Sequence, residues 1–289
     1  MKPKLFRSEK LCDRVTRIFG ITDEIMYLIE GGEKAMLVDT GVGIGKLKDY
    51  VESLTDKPVT VVLTHGHIDH AMGGREFDEV YLAKEDFPIY MADGAIESRN
   101  EYVKMMLGII FGKDKDIFST FESEDFINPD FETDKPFSVL EIGRVFNLGG
   151  VHVRVLDAKG HTPGSIALLI EEERMLIMGD AGNTNTFLFF EGCSSIEEYK
   201  DDMLRLKSET EGKYDRVLLS HGNGDVKNDL IDSLIELCDD IMSGNVDDET
   251  YYFMGSPALL AKSRDGNFKR IDGGTANIIY SKDNVFRKG

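Results

Sequence analysis

The chain has 289 residues, a length that suits one domain with an insertion as well as two domains. Its formal net charge of −19 argues against binding to nucleic acid or to an anionic membrane surface, because both require basic patches. The sequence contains neither the apolar core of a signal peptide nor a membrane-spanning segment, and its three cysteines are widely spaced, so a cytoplasmic protein with reduced thiols is predicted.

The N-terminal part of the chain is predicted to form strands followed by a helix. Apolar and β-branched runs predict strands at 15–19, 26–29 and 35–41. Apolar residues at a helical spacing predict a helix over 44–54 that packs on a sheet. Asp39 ends the third strand in an Asp-Thr-Gly sequence that is ordinary turn chemistry, so a structural or supporting role is predicted for it rather than direct metal binding.

The most informative stretch follows a predicted strand at 58–63 and contains three of the chain's six histidines. His65, His67, Asp69 and His70 lie within six consecutive positions. Imidazole nitrogens and carboxylate oxygens are good ligands for a metal such as zinc, but four donors so close in sequence cannot easily all reach one tetrahedral ion. The stretch therefore predicts a loop shared by two metal ions and completed by ligands from later in the chain.

The same arrangement, a short apolar strand followed by one His or Asp and by residues that break the strand, recurs three times. The predicted strands are at 151–156, 175–178 and 216–220, and the side chains that follow them are His161, Asp180 and His221. If these strands share sheets, their ends can meet at one edge. These three side chains are therefore the predicted further ligands.

Two parts of the chain are candidates for substrate binding. The segment at about 88–136 is predicted to be an insertion, with a helix over 92–111 that has one apolar face. A helical pair over the metal site would supply a substrate pocket, whereas a plain cover for the sheet is the alternative. Asn183 and Asn185 follow a predicted ligand closely, and their amides either hold a substrate oxygen or order a turn.

The C-terminal part is predicted to add two helices and a closing strand. A helix over 196–207 is predicted to begin at the N-cap Ser194, with Glu197 completing a capping box. Apolar residues at helical spacing predict a second helix over 228–242, and an apolar run predicts a strand over 276–280.

Four sequence motifs together resemble those of the metallo-β-lactamase fold superfamily of hydrolases. They are HxHxDH at 65–70, GHTPGS at 160–165, GD at 179–180 and SHG at 220–222. The resemblance covers most of the chain, from the strand before Asp39 to the helix after His221. It implies an α/β fold, a four-layer αββα sandwich with the metals at the sheet edge, here as a single domain over 1–289 with the helical insertion at about 88–136.

The resemblance also implies which side chains hold the metals. His65, His67 and His161 would hold the first ion, Asp69, His70 and His221 would hold the second, and Asp180 would bridge them. Two divalent ions are therefore expected, with zinc as the first choice and manganese or iron as alternatives.

The resemblance and the donor set imply a metal-dependent hydrolase. Two ions lower the pKa of a shared water, so that a metal-bound hydroxide is the nucleophile, and Asp69 would orient it and take or pass on its proton. The HTPGS stretch resembles the glyoxalase II and lactonase branches of the superfamily. The expected substrate is therefore a small ester, thioester or lactone.

Two other activities of the same fold are left open. A phosphodiesterase or nuclease is disfavoured by the acidic charge, because nothing basic would neutralise the phosphates. An iron-dependent oxidoreductase is the other alternative. The diiron branch of the superfamily carries Glu at the position of His67, so His67 argues against that branch. A similarity to the persulfide dioxygenases is harder to exclude. The expected partner is a small molecule, with no nucleic acid and no membrane, and a homo-oligomer is left open.

Overall fold

Two units make up the structure, a computed structural model that describes residues 3–128, 137–222, 224–266 and 268–288. Unit 1 comprises Met1–Glu141 and Val145–Val153, and unit 2 comprises Ile142–Arg144 and Arg154–Gly289. Residues 129–136, which end the predicted insertion, lie outside the described residues. The assignment of the whole chain to one domain stays a prediction.

A seven-stranded sheet forms the centre of unit 1. Its strands are β1 (Arg7–Lys10), β2 (Val15–Phe19), β3 (Ile25–Glu30), β4 (Ala35–Val38), β5 (Val59–Val62), β6 (Val80–Leu82) and β7 (Ser138–Val139), in that spatial order. The pairings from β1 to β4 are antiparallel and those from β4 to β7 are parallel. All residues of β4 and nearly all of β3 are buried, which explains why these strands are apolar on both faces.

Helices connect the parallel strands of unit 1. They are α1 (Leu47–Glu52), α2 (Ile68–Ala71), α3 (Phe87–Asp93) and α4 (Ile96–Phe111). α1 is shorter than the helix predicted at 44–54, and the amides of Leu47 and Lys48 at its start donate to the carboxylate of Glu76. The helix predicted at 92–111 begins at Ile96, because the backbone of Ala95 is not helical and separates α3 from α4.

The boundary between the units falls within a hairpin. β8 (Val145–Asn147) and the beginning of β9 (His152–Asp157) belong to unit 1, and β9 continues in unit 2. The turn between them contains Gly149 and Gly150, both with positive φ, and the Leu148 amide donates to the Val151 carbonyl across it. The strand predicted at 151–156 is present as β9, and its bounds differ from the prediction by one residue.

Unit 2 contains two sheets and two long helices. The elements after β9 are β10 (Ile166–Ile170), β11 (Met175–Ile177), β12 (Thr186–Leu188), α5 (Ile196–Thr210), β13 (Arg216–Leu218), β14 (Asp225–Val226), α6 (Leu230–Ser243), β15 (Glu249–Phe253), β16 (Ser256–Leu260) and β17 (Ile278–Tyr280). One sheet has the order β14, β13, β11, β10, β9 and β8, and the other has the order β12, β17, β16 and β15.

The core of unit 2 lies between its first sheet and the two helices. α5 buries Tyr199, Met203 and Leu206, and the apolar face of α6 joins them in one cluster with β11 and β13. The burial of this face is what stabilises helices of this length in a protein. Across the described ranges, every helix is too short or too polar to cross a bilayer.

The capping box of α5 lies one residue later than the sequence predicts. Ser195, not Ser194, is the N-cap: its hydroxyl accepts from the Glu198 amide, and the Glu198 carboxylate accepts from the Ser195 amide. The Ser194 amide instead donates to the Gly160 carbonyl. The preference for serine is the same at both positions, so only the backbone conformation decides between them.

Replacing Ser195 with alanine is expected to destabilise the protein by about 1 kcal/mol, the usual cost of losing an N-cap. Hydrogen bonds from Ser195 hold the pKa of the Glu198 carboxyl below its ordinary value. The stabilisation is therefore present above the ordinary pKa and is lost as the pH falls through the lowered one. Urea denaturation of Ser195→Ala, with Ser194→Ala as the matched control, would contradict this reading if the two variants lost equal stability at pH 7.

Candidate metal centre

The seven predicted ligands form two groups, one in each unit. All seven belong to sets of His and Asp side chains that could hold a metal ion. Unit 1 carries His65, His67, Asp69 and His70, and unit 2 carries His161, Asp180 and His221.

The ligands of unit 1 follow the end of β5 directly. The His65 ring centroid lies 4.9 Å from that of His67 and 4.0 Å from that of His70. Gly66 lies between His65 and His67. A larger residue would not fit there, because a Cβ at this position would lie 2.7 Å from the backbone oxygen of Asp86. The Gly66 amide donates to the Asp86 carboxylate at 2.9 Å, which fixes the loop.

Asp39 supports two of these histidines, His70 directly and His65 through Thr64. The Nδ1 of His70 donates to Asp39 Oδ2 at 2.8 Å. The Thr64 hydroxyl also donates to Asp39, at 2.8 Å, so its oxygen accepts the hydrogen bond from Nδ1 of His65 at 3.1 Å. We therefore assign the proton of each neutral ring to Nδ1, which makes Nε2 the unprotonated nitrogen suited to a metal. The supporting role predicted for Asp39 agrees with these contacts.

Asp69 is held by a side chain that the sequence did not single out. The hydroxyl of Tyr102, on α4, donates to Asp69 Oδ2 at 2.6 Å, and both side chains are buried. The other oxygen, Oδ1, lies 3.7 Å from Nε2 of His70. The sequence placed Tyr102 on the apolar face of a helix, where a tyrosine is ordinarily part of the core. Its role could be read only from the structure.

Negative charge accumulates around Asp69. Burial, and then the charge of Asp69, raises the pKa of Asp93 to about 6. Burial is also the main cause of the raised pKa of the Glu24 carboxyl; hydrogen bonds from Thr22 oppose this shift and the charge of Asp69 adds to it. A divalent cation bound by Asp69 would relieve this repulsion, so the electrostatics of unit 1 fit a metal site.

In unit 2 the carboxylate of Asp180 lies between two histidines. Its Oδ2 is 3.9 Å from Nε2 of His161, and its Oδ1 is 3.4 Å from Nε2 of His221. Two ligands of one tetrahedral zinc ion lie about 3.4 Å apart, since each is about 2.1 Å from the metal. Asp180 thus has one oxygen near each imidazole. Its role as a bridging ligand stays a prediction.

The loop that carries His161 is fixed from both sides. Nδ1 of His161 donates to the Phe187 carbonyl at 2.8 Å, and because a carbonyl can only accept, Nε2 is again the unprotonated nitrogen. Gly160 precedes it with φ at +146°, and a Cβ there would lie 2.2 Å from the ring of Tyr199. The hydroxyls of Thr162 and Ser165 are 2.7 Å apart and close the following turn.

The two asparagines of the loop after Asp180 have different contacts. Asn183 orders the turn: its side-chain oxygen accepts from the Thr184 amide at 2.7 Å. Asn185 instead accepts from the guanidinium of Arg264 at 3.0 Å. Substrate binding by either residue stays a prediction. Burial raises the pKa of the Cys193 thiol to about 11, which disfavours the thiolate form that a nucleophile needs.

Comparison with known proteins gives related sequences and related folds. Residues 25–221 match the family model described as the metallo-beta-lactamase superfamily. The chain is similar to "Acyl-coenzyme A thioesterase MBLAC2" of Homo sapiens, with 25% identity over 68% of this chain and 72% of that protein. It is also similar to "Beta-lactamase-like protein 2 homolog" of Caenorhabditis elegans, with 27% identity over 80% of this chain and 67% of that protein.

Solved structures agree at the level of the fold. The metallo-β-lactamase FIM-1 from Pseudomonas aeruginosa in its mono-zinc form aligns with a TM-score of 0.57 and 15% identity, over 83% of this chain and 98% of that one. The metallo-β-lactamase from Pontibacter korlensis aligns with a TM-score of 0.56 and 16% identity, over 80% of this chain and 97% of that one. Because the family match spans most of the chain, from β3 to His221, the protein belongs to the metallo-β-lactamase superfamily.

Proposed function

We propose that the protein is a metal-dependent hydrolase of thioesters. The observation that carries the proposal is the hydrogen bonding of the predicted ligands, in which Nδ1 of His65, His70 and His161 is held by protein groups. That arrangement directs Nε2 as a metal ligand and is the support that metal-binding histidines need. Three rings placed for packing alone would not each require a polar partner for Nδ1.

The proposed ligand set is the one expected from the sequence. As the family resemblance implies, His65, His67 and His161 would hold one ion, Asp69, His70 and His221 would hold the other, and Asp180 would serve both. Two divalent ions, with zinc as the first choice, therefore remain a proposal, supported by the donor chemistry and by the negative charge around Asp69. When bound, such ions lower the pKa of a water to near neutrality and stabilise developing negative charge.

The chain's own residues would then orient the reaction. Asp69 accepts a hydrogen bond from Tyr102 on one oxygen, which fixes the carboxylate plane and leaves the other oxygen on the side of His70. In that position Asp69 would orient the attacking water and accept its proton. Asp39 bonds to His70 directly and supports His65 through Thr64. These hydrogen bonds would keep both rings from rotating and so preserve the geometry during turnover.

The thioester class is supported by the names of three relatives. The human and chicken proteins that this chain resembles are named acyl-coenzyme A thioesterases, at 25% and 24% identity. A further relative at 22% identity, from Aspergillus aculeatus, is named atrochrysone carboxyl ACP thioesterase AacuM, and this chain aligns with 56% of its length. A thioester is also one of the three substrate classes expected from the sequence, beside esters and lactones. The cytoplasmic location and the oligomeric state stay predictions.

The test is turnover by protein that holds zinc alone, measured without oxygen. We expect close to two zinc ions per chain by elemental analysis, and hydrolysis of an acyl thioester faster than that of the matching oxygen ester, lactone or phosphodiester. Removal of metal by a chelator should abolish the activity, and zinc should restore it. If the protein is inert with zinc but consumes oxygen with iron, it is an oxidoreductase. If it cleaves the phosphodiester in preference to the thioester, it is a phosphodiesterase or nuclease.

A further inference from the structure

Five aromatic rings form a continuous, partly exposed surface in unit 2. This aromatic surface consists of Phe187, Phe189, Phe190, Tyr251 and Phe253. Neighbouring ring centroids lie between 4.3 Å, for Phe189 and Phe190, and 6.0 Å, for Phe187 and Phe190. Part of it packs on the small buried cluster formed by Ala258, Leu260 and Ile279. Aromatic groups that stay partly exposed in this way are typical of binding surfaces.

One end of the aromatic surface lies at a proposed metal ligand. The Phe187 carbonyl accepts the hydrogen bond from Nδ1 of His161 at 2.8 Å, and the Phe190 ring centroid lies 6.1 Å from the His161 ring. A molecule that lies on these rings would therefore have one end next to His161.

The other end of the aromatic surface lies at Arg264. Its guanidinium carbon is 5.1 Å from the Tyr251 ring centroid and 4.8 Å from that of Phe268, so two aromatic rings hold it. Its hydrogen-bond partner, Asn185 Oδ1 at 3.0 Å, is neutral. The ring centroids of Phe187 and Tyr251 are 5.9 Å apart, and Tyr251 in turn contacts the Arg264 guanidinium.

The charge of Arg264 is not compensated by a carboxylate within the described ranges. Other arginines of unit 2 do form ion pairs, such as Arg154 with Glu171, Arg174 with Asp215 and Arg270 with Asp272. In a chain of net charge −19, carboxylates are abundant, so a positioned arginine with a neutral partner is a ready anion site.

We propose that Arg264 and the aromatic surface bind the carrier part of the thioester substrate, and that this carrier is a thiol that bears phosphate, as coenzyme A does. This inference rests on the proposed function. The thioester group would lie at the His161 end, the carrier arm would lie on the rings, and a phosphate would accept hydrogen bonds from the Arg264 guanidinium. Binding energy from the carrier would thus hold the reacting carbonyl in place.

The test compares two thioesters that share one acyl group. Hexanoyl-coenzyme A carries the phosphates, and hexanoyl-N-acetylcysteamine keeps the thioester but lacks them. With zinc-loaded full-length protein, Arg264→Met should raise KM for the first by about tenfold or more, the effect of losing one charge-assisted hydrogen bond, and leave the second within about twofold. Arg174→Met, which removes the same charge elsewhere in unit 2, should change neither, and added salt should shrink the Arg264 effect.

Two results would overturn the proposal: an equal change of KM for both thioesters, or no change for either. A third compound, an N-acetylcysteamine thioester whose acyl chain ends in a carboxylate, tests the other origin of the anion. If Arg264→Met weakens that compound and not hexanoyl-coenzyme A, Arg264 binds the acyl group and the carrier assignment is wrong.

Binding without turnover separates this inference from the proposed function. S-hexyl-coenzyme A, a thioether that cannot be hydrolysed, should bind the wild type at least about tenfold more tightly than Arg264→Met by calorimetry. If no thioester is hydrolysed but this difference is found, the proposed function fails and the site stands. Phe253→Ala should also weaken the thioether, because the arm loses part of the surface it covers, and circular dichroism would show whether either variant has lost its fold.

Discussion

Replacing Asp69 with asparagine is expected to lower the kcat of thioester hydrolysis by about 10²-fold or more, the usual contribution of a general base. The amide keeps the shape of the side chain and can still accept the hydrogen bond from Tyr102, but it has neither the charge nor the basicity of the carboxylate. KM should change less, because Asp69 is proposed to act on the water and not on the substrate. The measurement is steady-state kinetics with zinc as the only metal.

Tyr102→Phe is the companion variant, because it removes the hydrogen bond to Asp69 and keeps the carboxylate. We expect a smaller loss of kcat, about three- to tenfold, in line with the loss of one buried hydrogen bond. The proposed role of Asp69 would be wrong if Asp69→Asn retained the wild-type rate. A loss in Tyr102→Phe as large as in Asp69→Asn would mean that the phenol itself takes part in the reaction.

Replacing Asp180 with alanine is expected to remove most of the bound metal from both positions, whereas His221→Ala should empty mainly one. Asp180 has one oxygen near His161 and the other near His221, which are proposed to hold different ions, so its loss should affect both. Loss of even a supporting group lowers metal affinity by about 10- to 100-fold, and loss of a shared ligand should cost more. Elemental analysis after dialysis against a weak chelator measures both effects.

Asp215→Ala is the control for this comparison, because Asp215 is an exposed carboxylate of the same unit and is paired with Arg174. It should retain the metal content of the wild type. Equal, small losses of metal in Asp180→Ala and His221→Ala would contradict a bridging carboxylate, and a stoichiometry fixed at one ion in the wild type under excess zinc would contradict the dinuclear proposal.

The family could be predicted from local sequence. The matches over residues 25–221 and to solved folds confirm the α/β metallo-β-lactamase fold, and they confirm a hydrolase of that superfamily. This was predictable because a strand end and the ligands that follow it lie within a few residues of one another, as at β5 and His65. Asp39, which follows β4, was also recognisable as a supporting residue, since it lies in a turn sequence.

Other features depended on backbone conformation that sequence patterns do not contain. Ser194 and Ser195 are equally good N-caps by residue type, and only the hydrogen bond from the Ser194 amide to Gly160 moves the cap to Ser195. The helix predicted at 92–111 begins only at Ile96, because the backbone of Ala95 is not helical. For the cap, the hydrogen-bond partner lies 34 residues away in the chain, where a local pattern cannot show it.

The sequence by itself determined the donor types, their order and the strands that precede them, because those depend on near neighbours in the chain. Only the tertiary structure decided which polar atoms meet across long separations. Tyr102 reaches Asp69 across 33 residues, and Arg264 reaches Asn185 across 79. Neither side chain differs in residue type or local pattern from an ordinary core tyrosine or surface arginine, since a hydrogen bond of this kind is specified by the packing of whole elements and not by the residues beside it.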